Sequence, residues 1–220
     1  MIGISPIAER SRQTAPRLFV LTDAAVASGS VLDARLERLL ANCRRGSAVV
    51  VLRDKQLPVR ERLAIGRRLA PIVRRHGHEL AVADRLDLAV LLEAEGAHLG
   101  ESSVDTRDAR ALLFAGAWLS RATHDPARLD READAMILSP IAAPRKGRPA
   151  LGLAAIETAR TRLSEMTVGP PPLLYALGGV DERNAAQCLA AGADGIAVIG
   201  AALDGRDPVP LTRALGIEAA

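Results

Sequence analysis

Two apolar runs that end in glycine, LLYALGGV (Leu173–Val180) and GIAVIGA (Gly195–Ala201), are the first stretches able to do chemistry. One closes on Gly178-Gly179 and the other on Gly200, with a helical pattern between them. Glycine at such a turn lets a backbone N–H approach a ligand with no Cβ in the way. Paired turns of this kind suit a phosphate. Basic residues stand at the ends of other segments. Arg53 and Lys55 follow AVVVL (Ala48–Leu52), and their alternation turns both toward one side with Asp54 facing away. With Lys146 they would form a cationic cluster opposite the glycine turns, Arg as a fork and Lys as a point charge. The same three are also compatible with a solvated surface. His124, next to Thr123 at the end of another apolar run, is the candidate to move a proton near neutral pH. Asp84 lies between an apolar run and a helical pattern, where it serves either as a helix N-cap or in a metal or substrate role. His98 sits inside a short apolar segment and reads as structural, while His76 and His78 need no function. No Ser or Cys stands beside a base, and no zinc-type cluster is spelled out.

The elements that must carry these residues are short. Eight apolar segments occur: Leu18–Leu21, Ala48–Leu52, Leu80–Ala83, Ala97–Leu99, Ala117–Ser120, Ala135–Leu138, Leu173–Leu177 and Gly195–Ile199. Each is followed by a helical or capped segment, with helical periodicity clearest over Val31–Cys43, Val59–Arg75 and Arg85–Glu95. Near-continuous apolar strands alternating with amphipathic helices indicate a parallel sheet covered on both faces. Eight such units close a small (β/α)8 TIM barrel, an α/β fold. An open doubly wound sheet is also permitted by the alternation. In a barrel the carboxyl ends of the strands face one mouth, and the candidate residues all stand at such ends. SPIAAPRKGRPAL (Ser139–Leu151) is the one long Pro/Gly/basic loop, either a functional lid or disordered.

Composition sets limits. At 220 residues the chain suits one large domain, expected over 17–220, with 1–16 as a loose polar arm. Hydrophobic residues make up 49% and aromatics only 2%, so Ala, Leu, Val and Ile are expected to fill the core. Lys and Arg number 29 against 26 Asp and Glu, a formal charge of +3 with the signs interspersed, which with so few aromatics argues against nucleic-acid binding. Cys43 and Cys188 are read as reduced core thiols. No apolar run reaches the roughly 18 residues of a membrane span. The expectation is a soluble cytoplasmic protein.

A set of collinear motifs resembles one family. LTD (Leu21–Asp23), LRDK (Leu52–Lys55), ADRLDLA (Ala83–Ala89), GAHLG (Gly96–Gly100), ATH (Ala122–His124), LGGV (Leu177–Val180) and AGADGIAVIGA (Ala191–Ala201) are similar to thiamine phosphate synthase and its sister, thiazole tautomerase. The resemblance spans Arg17 to Leu211 and implies a (β/α)8 barrel. The synthase joins a pyrimidine diphosphate to a thiazole phosphate, expelling pyrophosphate held by Mg2+ and basic residues. The tautomerase shifts a double bond in a thiazole carboxylate phosphate without metal, with a His as acid and base. By resemblance Arg53 and Lys55 match the pyrophosphate pair, Asp84 the first Mg2+ carboxylate and Lys146 the loop lysine. Gly178, Gly179, Ile199 and Gly200 match the thiazole-phosphate turns, and His124 matches the tautomerase acid/base.

The departures bear on the reaction. Ala83 stands where the synthase has Asn, Ser103 where it has a second Mg2+ carboxylate, and Ala122 where it has Ser. The Phe and Thr of its sixth loop are absent. One carboxylate and a hydroxyl would hold Mg2+ weakly, with Asp105 as a possible substitute two residues on. The favoured reading is therefore a thiamine-pathway enzyme that binds a thiazole phosphate and acts as a metal-free tautomerase, with His124, Arg53 and Lys55 catalytic. The alternative is a synthase using Mg2+ at Asp84, and the third a silent barrel that binds a phosphorylated ligand. The expected partners are small phosphorylated thiazole and pyrimidine molecules and, as the resemblance implies, a second copy in a homodimer.

Overall fold

A computed structural model describes residues 14–166 and 169–219. Eight parallel strands close into a barrel in chain order: β1 (Leu18–Leu21), β2 (Ala48–Leu52), β3 (Glu79–Ala83), β4 (Gly96–Leu99), β5 (Trp118–Thr123), β6 (Ala135–Leu138), β7 (Leu173–Leu177) and β8 (Gly195–Val198). Closure is made by β8 against β1, with Leu18 opposite Ile196 and Phe19 opposite Ala197. The helices are α1 (Gly29–Ala41), α2 (Val59–Arg75), α3 (Leu86–Leu91), α4 (Thr106–Leu112), α5 (Leu153–Ser164), α6 (Ala185–Ala190), α7 (Gly200–Leu203) and α8 (Val209–Leu215). No described helix is long and apolar enough to cross a membrane.

Successive strand residues face opposite sides, so each strand feeds two cores. Leu18, Val20, Val50, Leu80 and Ile196 pack outward under the helices, whereas Phe19, Val49, Val51, Ala81 and Ile137 point inward. This double burial is why the segments read as continuous apolar runs. The interior differs from expectation in one respect: aromatic rings take its lower part. Phe19 meets Trp118 edge-on at 5.6 Å and lies 4.4 Å from Tyr175, centroid to centroid. A ring needs space opposite it, and Gly96 supplies that space, since a Cβ there would fall 2.3 Å from Trp118. The polar edges of the rings are also bonded, Trp118 Nε1 donating to Glu79 at 2.7 Å and the Tyr175 hydroxyl to the Pro16 carbonyl at 2.6 Å.

Most boundaries fall within two residues of the sequence expectation. The exceptions have local causes. α3 stops at Leu91 instead of Glu95, and Glu93 takes φ 49 just beyond it. β5 runs on to Thr123, and no helix follows it. There Asp125 and Asp130 accept hydrogen bonds from the backbone N–H of Ala127 and Glu132, which favours turns over a helix. Of the expected arm, residues 1–13 lie outside the described ones; Ala15 is already buried against the barrel. Cys43 and Cys188 are free and buried, and burial pushes the Cys43 thiol up to about 12.

Candidate active site

The carboxyl ends of the strands surround a cavity of about 450 Å3. The structure brings Arg53, Lys55, Lys146, His124, Gly178 and Ile199 to its wall. An adjoining cavity of about 520 Å3 is lined by Gly178, Gly179, Ile199 and Gly200. Arg145, Leu177, Gly178 and Ile199 belong to both walls, so the two form one continuous mouth.

The cationic side is built from β2. Arg53 reaches Asp23, at the end of β1, at 3.3 Å. Asp54 turns away and is buried, taking the Thr22 hydroxyl on one oxygen and the Ala24 N–H on the other at 2.6 Å. It ties the ends of β1 and β2 together, a role the sequence reading missed; the signal was an acid between two mouth-facing bases. Lys55 pairs with Asp84.

Asp84 is not a helix N-cap. Arg85 holds that position ahead of α3, without a side-chain cap bond. Asp84 instead adopts φ 60, a conformation Asp tolerates. Its carboxylate faces β4, where it accepts the Gly100 N–H at 2.7 Å and the Ser103 hydroxyl. Burial works against ionisation, but the hydrogen bonds from Lys55, Ser103 and Gly100 prevail and hold the carboxyl below its ordinary 3.8. Asp105 is no substitute, because it stands exposed ahead of α4 and lines neither part of the mouth. Among the described residues no group of three or more His, Cys, Asp or Glu is disposed to hold a metal ion. The oxygen donors that the protein would offer an Mg2+ ion at this place are the Asp84 carboxylate and the Ser103 hydroxyl beside it. Both are oxygen donors of the kind Mg2+ takes, with phosphate oxygens and water completing the shell.

Two histidines look into the cavity rather than one. His124 Nδ1 lies 2.7 Å from the Ser139 carbonyl and 3.1 Å from the Ser139 hydroxyl. His98, expected to be structural, is buried and bonded to Ser120 at 2.9 Å, yet it also lines the mouth. Burial pushes its pKa down to about 4, so it stays neutral at physiological pH. Its position inside a strand, facing inward at the upper layer, gave no sequence signal of this.

The sixth loop is held at both ends. Ile141 and Ala142 donate to the carbonyls of Leu177 and Gly178, at 2.9 and 2.7 Å, and Leu151 donates to Pro140 at 2.8 Å. Its tip is a tight turn in which Lys146 and Gly147 take φ 49 and 75 between the bridged Arg145 and Arg148. Three cations therefore hang over the mouth where the sequence reading named one. Anchoring this loop is also what Gly178 and Gly179 do. Their φ values are 100 and 71, and a Cβ would come within 2.9 Å of Pro140 and 2.5 Å of Ala143. Gly200 is different: a Cβ there would meet nothing within 4 Å, so it borders open space.

Comparison with known proteins agrees with this architecture. The profile of the family described as thiamine monophosphate synthase matches residues 18–202. A thiamine-phosphate synthase of Thermus thermophilus is 39% identical over 193 residues, covering 85% of this chain and 90% of the relative. One from Albidiferax ferrireducens is 36% identical over 216 residues, covering 94% of each. The solved structure of a thiamine phosphate pyrophosphorylase from Pyrococcus furiosus superposes with a TM-score of 0.74 at 23% identity, over 93% of this chain and 95% of that one, which speaks for the fold. The chain is an enzyme of the thiamine monophosphate synthase family.

Proposed function

We propose that the protein is a thiamine-phosphate synthase, joining a pyrimidine diphosphate to a thiazole phosphate with release of pyrophosphate. The observation that carries this reading is the joined mouth, in which a basic cluster and a pair of glycine turns open onto each other. One is a cluster of Arg53, Lys55, Arg145, Lys146 and Arg148 over the larger, more charged group. The other is the pair of glycine turns, where Gly178, Gly179, Ile199 and Gly200 seat a single phosphate. A tautomerase substrate would bring only a carboxylate to the first region, whereas five cations there suit the larger charge of a diphosphate. The names of the relatives also support the synthase over the tautomerase that the sequence reading favoured.

In the reaction the leaving oxygen keeps the bonding electrons, so negative charge grows on the departing pyrophosphate. Preorganised cations at that place stabilise the transition state more than the ground state. Arg53 is paired with Asp23 and Lys55 with Asp84, so both cations stand at the mouth before a ligand arrives. Asp84 and Ser103 would hold Mg2+, which when bound neutralises charge on the diphosphate. His98 stays neutral, adding no positive charge of its own to the deeper wall of the mouth. A homodimer, implied by the resemblance, and a cytoplasmic place, expected from the composition, belong to the same proposal; a sedimentation mass tests the first.

The test is product formation by the purified protein from pyrimidine diphosphate and thiazole phosphate, with and without Mg2+. Mg2+-dependent thiamine phosphate is the expected result. No product, where a known synthase works, removes the reading, and tautomer exchange on the thiazole carboxylate phosphate is then the assay to run.

A further inference from the structure

Glu101 is the only carboxylate among the described residues lining the cationic cavity. It follows β4, at the foot of the loop that leads to α4. Its Oε2 lies 4.0 Å from His124 Nε2 and 3.7 Å from an Arg148 guanidinium nitrogen. Both distances are within ion-pair reach and beyond hydrogen-bonding distance. The carboxylate is thus near two partners and bonded to neither.

The orientation of His124 sharpens this. A carbonyl oxygen only accepts, so the 2.7 Å contact with Ser139 assigns the hydrogen to Nδ1. With the hydrogen placed on Nδ1 by that contact, Nε2 is the nitrogen that carries the lone pair, and it faces Glu101. Two acceptors therefore face each other across 4.0 Å at the cavity wall, with no donor between them. Leu21, Ala122, Leu177 and Ile199 supply apolar surface in the same cavity, which suits the face of a flat ring.

We propose that Glu101 and His124 Nε2 together accept the two hydrogens of an exocyclic amine on a heteroaromatic ring. The anionic tail of that ring runs to the Arg53 and Lys55 end. The inference rests on the synthase reading and specifies the group by which the pyrimidine is recognised. A ring with an oxo group in place of the amine sets oxygen lone pairs against the carboxylate and is rejected, since facing acceptors repel and neither gains a hydrogen bond.

The experiment is steady-state kinetics with a 4-aminopyrimidine diphosphate and its analogue carrying hydrogen in place of the amine. It uses the wild-type protein, Glu101→Leu, which has no acceptor, and Glu101→Gln, which keeps one. Glu101 is exposed in a loop, and melting temperatures report whether the variants fold. Glu101→Leu is expected to raise KM for the amino substrate by about tenfold or more, the loss of a charge-assisted hydrogen bond. The thiazole phosphate KM stays unchanged, Glu101→Gln recovers most of the loss, and the analogue lacking the amine is indifferent to the substitution. Equal losses on both pyrimidines, or a loss on thiazole phosphate, overturn the proposal and leave Glu101 as an anchor for Arg148. An unchanged KM in Glu101→Leu beside an active wild type removes this inference alone. A wild type that makes no thiamine phosphate removes the synthase reading and this inference with it.

Discussion

Lys55 and Asp84 form an ion pair across the ends of β2 and β3, and the same carboxylate takes donors from the loop after β4. Three strand ends are therefore locked through one side chain. Charge is concentrated there before any ligand arrives, and pH acts on it directly.

The Asp84 carboxyl is lowered from 3.8, so its ionised form is favoured by the fold. A group of this kind contributes stability above its unfolded pKa, and the contribution is lost as pH falls through the folded value. Asp84→Asn should therefore cost stability at neutral pH and cost progressively less below about pH 4. Urea unfolding across that range measures it; a penalty independent of pH contradicts the account.

His78 and His98 act at higher pH. Burial lowers each from 6.5 to about 4, so the unfolded chain takes up protons in this window while the folded one does not. Stability gained from keeping them neutral is complete above pH 6.5 and drains away as pH falls toward about 4. The slope is about 1.4 kcal/mol per pH unit for each histidine. His78→Gln should flatten the stability profile between those limits, read by unfolding at a series of pH values.

Gly179 and Gly200 should separate stability from binding. Gly179→Ala forces a side chain into φ 71 and against Ala143, so the melting temperature should fall, the backbone strain alone costing about 1–3 kcal/mol. Gly200→Val meets open space and should leave the melting temperature nearly unchanged while weakening thiazole phosphate binding, measured by calorimetry. Unchanged affinity in Gly200→Val would place the phosphate elsewhere.

Asp54→Ala should be among the costlier changes at the mouth. It leaves the Thr22 hydroxyl and the Ala24 N–H without their shared acceptor inside a buried corner. Each unpaired buried donor costs about 1–3 kcal/mol, so a loss of several kcal/mol in denaturant unfolding is expected. A loss within experimental error would show that water replaces the carboxylate.

The barrel was legible in the sequence because a parallel strand buried on both faces is a local pattern. Four residues such as Leu18–Leu21 carry their own signature, whatever they later pair with. Arg53, Lys55, Asp84 and His124 could be singled out for the same reason: position at the end of an apolar run is a property of neighbours in the chain. The aromatic floor was not legible, since Phe19 and Tyr175 lie far apart in sequence and meet only when the sheet closes. Nor could the chain reveal that Asp84 would turn to Lys55 and Ser103 instead of capping α3. That choice depends on a positive φ and on the register that brings β3 beside β4, with Ala83 opposite His98.

By itself, then, the sequence singled out Arg53, Lys55, His124 and Lys146 for the mouth, through the period of its strands and the chemistry at their ends, while His98, Glu101 and Arg148 reach it only in the closed barrel. Only the tertiary structure decided which of them touch. Contacts such as those of Glu101 with His124 and Arg148 join separate loops, and their geometry is set by closure of the barrel and by the anchoring of the sixth loop on Leu177 and Gly178.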